Sequence, residues 1–247
     1  MVTEGRSPGR AATPDDTTVN PDTELSRIKT VYSKRKDLTR YSSFQPATLF
    51  ARQECERKFL AFLAAAGISA LSGLRILELG CGTGFWLREF IKWGAQPENI
   101  FGIDLLPERI AEAKRLSPLG VHLECGNAAE LTGSVTFDVI LQSTMFSSIL
   151  DAQMRRQIAR EMLRVLRPNG CILWYDLRLN NPQNPDVKGI RKSELRDLFP
   201  NCRIKFQTLT LAPPIARAVA PKSTAAYRLL SSIRPLRTHY LALIRHG

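Results

Sequence analysis

A chain of 247 residues, 44% of them hydrophobic, can bury a full core, so one domain of ordinary size with tails is expected. No uninterrupted apolar run approaches the roughly 18 residues of a membrane-spanning helix, and the start MVTEGRSPGR lacks the apolar centre of a signal peptide, so a cytoplasmic protein is expected. The net charge of +12 invites an anionic partner, but the Lys and Arg are scattered, which suits solvated faces; the five cysteines form no Cys-x-x-Cys or Cys/His pattern, so no metal site is expected.

Residues 1–25, rich in Pro, Thr, Asp and Gly and poor in large apolar side chains, read as a disordered tail. A helical cap segment follows over 26–70: in PATLFARQECERKFLAFLAAAG the apolar residues Leu49, Phe50, Cys55, Phe59, Leu60, Phe62 and Leu63 recur near helical spacing, and Gly67 stops the run. From 71 to 247 short apolar strands alternate with amphipathic helices. RILEL is a strand, FWLREFIKWG a helix, NIFGID a strand, LPERIAEAKRL a helix with Pro107 in its first turn, VHLEC a strand and VTFDVILQ a strand. A long helix then starts at a capping Asp151 and is stopped by Pro168-Asn169-Gly170, before the fifth strand CILWYDL. This alternation predicts βαβ units and a doubly wound α/β fold with a mostly parallel sheet, helices on both faces. CRIKFQTLTL and HYLALIR predict a terminal antiparallel pair, separated by a helical insertion at about 213–237.

Between the first strand and its helix stands ELGCGTG, with Gly80, Gly82 and Gly84 two apart. Glycine lets a ligand approach main chain closely, and in an open parallel sheet ligands bind beyond the carboxyl ends of the strands. The dinucleotide pattern G-x-G-x-x-G started at Gly80 would need its third glycine where Phe85 stands, and no Gly-Lys-Ser/Thr is present, so a pyrophosphate or triphosphate ligand is poorly supported.

ELGCGTG followed by GID, with Asp104 ending the second strand, resembles the first motif and the acidic strand end of class I S-adenosylmethionine-dependent methyltransferases; the similarity covers residues 74–176 closely. The resemblance implies a seven-stranded Rossmann-like methyltransferase sheet and S-adenosylmethionine as cofactor. It also implies roles: Gly80, Gly82 and Gly84 lying against the cofactor, Glu78 meeting its amino-acid portion, Asp104 accepting the ribose hydroxyls and Leu105 packing on adenine. Asn127 stands where the family often has an acid meeting the adenine amino group, followed by Ala128, and Gln142 stands where the fourth strand reaches the methionine end. Each has a plainer alternative: a strand residue for Glu78, a cap for Asp104, a turn residue for Asn127, a satisfied sheet-end amide for Gln142. Phe85 and Trp86 read as core of the first helix, with cofactor-stacking rings as the alternative.

Methyl transfer from a sulfonium asks chiefly for positioning and exclusion of water. If the last strand is antiparallel, its start lies on the edge where the parallel strands end, which puts His239 forward as a general base, with Tyr175 and Asp176 facing the acceptor. Tyr41 and Phe44 could form an aromatic lid or anchor the first helix to the sheet. Basic residues in the covering segments, among them Lys34, Arg35, Lys36, Arg40, Arg217 and Lys222, would suit an acidic acceptor. The reading is a methyltransferase acting on an oxygen of a small molecule such as a secondary metabolite, sugar or glycolipid, with no nucleic acid as partner. The alternatives are an RNA or protein methyltransferase, which the charge favours but the segment LQSTMFSSI, without Asn/Asp-Pro-Pro-Tyr, does not, and a non-catalytic cofactor-binding subunit.

Overall fold

The computed structural model describes residues 21–34 and 42–247. Seven strands form one sheet in the order β3-β2-β1-β4-β5-β7-β6. Strands β1 (Ile76–Leu79), β2 (Ile100–Asp104), β3 (His122–Cys125), β4 (Phe137–Ser143) and β5 (Leu166–Leu177) pair in parallel. The last strand, β7 (Arg237–His246), runs antiparallel between β5 and β6 (Cys202–Leu211), as the end of the sequence predicts. β1 is buried at every position, which is what a central strand covered on both faces requires.

Two apolar cores lie on the two faces of the sheet. One joins Ile140, Phe146, Trp174 and Phe199 to Ile158 and Met162 of α5 (Ala152–Val165) and to α6 (Lys192–Leu198). The other joins Leu141, Leu173 and Tyr175 to Phe59 and Leu63 of α2 (Pro46–Ala65) and to Leu87 and Phe90 of α3 (Phe85–Lys92). Helix α4 (Pro107–Leu116) follows β2, and α7 (Pro213–Val219) and α8 (Thr224–Ser232) lie between β6 and β7.

Two boundaries differ from the sequence expectation. Helix α1 (Pro21–Ser33) begins inside the stretch assigned to the tail, because Leu25, Ile28 and Tyr32 share a helical face that packs against the first core. Helix α5 is capped as expected, the Asp151 carboxylate accepting from Met154 N at 2.5 Å, but it ends at Val165 rather than at Pro168-Asn169-Gly170. Leu166 is already paired with Phe137, and the register then shifts so that Val139 meets Cys171, which accommodates the Pro-Asn-Gly residues as an irregularity within β5.

Candidate active site

The ends of β1, β2 and β4 meet at the glycine-rich turn. Gly80, Gly82 and Gly84 all have positive φ, +67°, +55° and +74°. At Gly80 the requirement is double, since an added Cβ would also lie 2.9 Å from Met145 Cγ. The turn is fastened to β2: Gly80 N and Cys81 N both donate to Ile103 O, at 2.8 and 3.0 Å. Gly82 N donates to Asp104 Oδ2 at 2.8 Å, while Leu106 N donates to Oδ1 at 3.0 Å. A carboxylate oxygen has two lone pairs, so each keeps accepting capacity toward a ligand hydroxyl.

These groups border a cavity of about 130 Å³. Gly80, Asp104, Leu105, Asn127 and Ala128 line one side of it, so five residues singled out in the sequence converge there. Asn127 is partly spent on its own turn, its Oδ1 accepting from Ala129 N at 3.0 Å and its Nδ2 donating to Glu130 Oε1 at 3.1 Å. Glu78 lies beneath the turn, 2% exposed, with Oε2 buried and without a hydrogen-bond partner among the described residues. Burial, and secondarily the nearby Asp104 charge, push its pKa well above the usual carboxylate range, against a smaller opposing pull from Arg88.

Four expected site residues lie elsewhere. Gln142 is fully buried and its amide is committed to main chain: Nε2 donates to Tyr175 O at 3.3 Å and Oε1 accepts from Met145 N at 3.2 Å. It holds the ends of β4 and β5 together instead of facing the cavity. The Tyr175 hydroxyl is hydrogen-bonded to Thr210 Oγ1 at 2.7 Å in the core shared with α2, where burial raises its pKa well above normal. Asp176, next along β5, points to the opposite face, accepts from Ser147 N at 3.1 Å and is raised by burial. His239 stacks on Tyr175 with ring centroids 4.8 Å apart, and burial lowers its pKa to about 3. A base so weak is a poor proton acceptor, so the general-base assignment gives way to a neutral imidazole able only to hydrogen-bond.

Phe44 is 96% exposed on the loop before α2 and is not buried against any of the described residues, and Tyr41, with Arg35, Lys36 and Arg40, falls outside the described residues. Among the described residues no three His, Cys, Asp or Glu side chains are grouped as metal ligands.

The opposite wall of the cavity comes from α1 and the segment after β4, which the sequence reading missed. Leu25, Ile28 and Tyr32 line it together with Arg109, Thr144 and Met145. The helix is pinned by Glu24, 1% exposed, which accepts from Leu150 N at 2.6 Å and from Arg27 at 2.8 and 2.9 Å. Arg27 in turn donates to Ser148 O at 2.6 Å, and the Tyr32 hydroxyl is 2.9 Å from Ser148 Oγ. Thr144 carries φ +57°, unusual for a β-branched residue, with its N–H donating to Tyr175 O at 2.8 Å. The signal available in the sequence was the spacing of Leu25, Ile28 and Tyr32.

Residues 76–170 match the family model described as a methyltransferase domain. They form a class I methyltransferase domain. Over 134 residues the chain is 32% identical to a ubiquinone biosynthesis O-methyltransferase of Rhodopseudomonas palustris (strain HaA2), covering 53% of this chain and 50% of that protein. Over 158 residues it is 24% identical to the mitochondrial citrate synthase-lysine N-methyltransferase of Homo sapiens, covering 56% and 63%. The chain thus spans about half the length of the first of these curated relatives. The fold is also that of an S-adenosylmethionine-dependent methyltransferase from Clostridium acetobutylicum ATCC 824, with a TM-score of 0.57 at 12% identity over 92% of this chain and 100% of that one.

The methyltransferase-domain residues fit S-adenosylmethionine as cofactor. The turn at Gly80 presents bare main chain on the cavity wall with Met145 lying over it, Asp104 keeps accepting capacity, and the buried Glu78 oxygen beneath the turn, without a hydrogen-bond partner among the described residues, suits a cationic group.

Proposed function

We propose that the protein transfers a methyl group from S-adenosylmethionine to an oxygen of a small-molecule acceptor. The cofactor, when bound, supplies an activated methyl group on a sulfonium. The protein's own part is positioning and exclusion of water, which together contribute on the order of 7–11 kcal/mol in well-oriented reactions. Asp104 and the Gly80–Gly84 turn would hold the nucleoside and the main chain of the amino-acid portion, Leu105 and Ala128 would pack against adenine, and α1 would keep water out.

The observation that carries the choice of oxygen is Gln142. At the end of β4 the Gln142 amide is consumed by Met145 N and Tyr175 O, so it offers no free side-chain carbonyl to hold the N–H groups of an acceptor amine. A phenol, with a pKa of about 10, needs no such partner and only modest help in losing its proton. The similarity to a ubiquinone biosynthesis O-methyltransferase agrees with transfer to oxygen. His239 would serve at most as a neutral hydrogen-bonding group.

The test is incubation with methyl-labelled cofactor and a panel of phenols, catechols, hydroxy acids and sugars, beside lysine-containing peptides. Label recovered as a methyl ether supports the proposal. Label found only on peptide nitrogen would replace it with the protein-methylating reading, which the lysine N-methyltransferase relative represents.

A further inference from the structure

We propose that Arg109, held against Tyr32 of α1, is a further cofactor-binding residue acting on the nucleoside half of the cofactor. The inference rests on S-adenosylmethionine as cofactor and is independent of the acceptor. Arg109 stands in the first turn of α4, and its side chain returns over the glycine turn: a Cβ at Gly82 would lie 3.4 Å from Nη1. Gly82 is also the residue whose N–H holds Asp104 Oδ2, so guanidinium, bare turn and carboxylate enclose one corner of the cavity.

Among the described residues the guanidinium neutralises no carboxylate through an ion pair. Both Asp104 oxygens are bonded to main chain. What fixes it is a ring: its central carbon lies 4.6 Å from the centroid of Tyr32. Tyr32 is itself held by Ser148 Oγ, so α1 brings the aromatic face to the cavity and the face holds a fork of five donors beside Asp104. Neutral oxygens and nitrogens of a ribose and a purine are what such donors would meet where Asp104 accepts from the same sugar. The competing target is the carboxylate at the other end of the cofactor, to which a planar guanidinium would bind as a pair of hydrogen bonds.

Calorimetric titration of the full chain separates the two, with S-adenosylhomocysteine and with 5′-methylthioadenosine, which has the nucleoside and thioether but no amino-acid portion. Arg109→Met should weaken both ligands by a similar factor of about ten or more. Tyr32→Ala should weaken both as well, Tyr32→Phe should keep most of the affinity because the ring face remains, and the double variant Arg109→Met with Tyr32→Ala should be scarcely weaker than Arg109→Met alone. Equal affinity of Arg109→Met and wild type for both ligands would overturn the proposal. So would a loss confined to S-adenosylhomocysteine, which would move Arg109 to the carboxylate. Thermal melting of the unliganded variants identifies any that fail to fold. Failure of the wild-type protein to bind either ligand would refute the cofactor assignment, and this proposal with it, before any variant is compared.

Discussion

Acidification should destabilise the wild-type protein more steeply than a variant without His239. The imidazole is 8% exposed, lies nearly parallel to the Tyr175 ring at 6°, and has Nδ1 3.0 Å from Thr238 Oγ1. Burial lowers its pKa from 6.5 to about 3, so the folded chain keeps it neutral where the unfolded chain takes up a proton. Its contribution is therefore intact above the unfolded pKa and is lost as pH falls from 6.5 toward 3, at about 1.4 kcal/mol per pH unit. From pH 6.5 to 5 this amounts to about 2 kcal/mol, a sizeable share of the roughly 5–15 kcal/mol that holds a domain folded. Urea unfolding at pH 7.5, 6.5, 5.5 and 5.0 measures it, with His239→Phe as the reference because phenylalanine keeps a ring against Tyr175 and cannot titrate. The two stabilities should diverge by about 2 kcal/mol across the acid half of the series. Parallel curves, or an imidazole titrating near 6.5 by NMR in the folded protein, would refute the burial argument.

Gly80→Ala combines a left-handed φ with a Cβ placed 2.9 Å from Met145 Cγ, so it should cost about 1–2 kcal/mol of stability in thermal melting and lower affinity for S-adenosylhomocysteine about tenfold. Glu78 has its pKa raised by burial and by Asp104, so it should release a proton when a cationic ligand group binds beside it; affinity for S-adenosylhomocysteine should then rise with pH, with proton release seen by calorimetry in two buffers, and Glu78→Gln should abolish that dependence. Burial acts to raise the pKa of Glu24, but the hydrogen bonds from Arg27 and Leu150 and the Arg27 charge outweigh it and leave it lowered, so its hold on α1 is present above the ordinary carboxylate range and lost as pH falls through the folded pKa. Glu24→Gln should accelerate hydrogen exchange in α1 about 5–100-fold while leaving β1 and β4 protected.

The sheet was legible because its strands announce themselves as short apolar runs separated by amphipathic helices, and because CRIKFQTLTL and HYLALIR lack the crossover of the earlier units. The glycine turn, Asp104, Leu105, Asn127 and Ala128 meet at one cavity because all of them sit at or just beyond the ends of adjacent parallel strands. Position at that edge does not decide which face a side chain takes, since strand side chains alternate with period two. Hence Tyr175 entered the core beneath α2 with His239 stacked on it, Asp176 went to the other face, and Gln142 turned to the main chain of Tyr175 and Met145. The covering helix was legible only in part, since Ile28 and Tyr32 fall in the helical segment expected over 26–70 while its first turns, up to Leu25, fall in the stretch read as tail. Its apolar spacing crosses residues whose composition reads as tail, and only the packing of Leu25, Ile28 and Tyr32 against distant residues gives it a place.

A crystal structure with S-adenosylhomocysteine bears most directly on the central claim, that bare main chain from Gly80 to Gly84 and the Asp104 carboxylate hold the cofactor. The account requires the ribose hydroxyls within hydrogen-bonding distance of Asp104 and the ligand lying against that main chain beneath α1. Nucleoside density elsewhere, with Met145 still filling the space over Gly80 at saturating ligand, would contradict it.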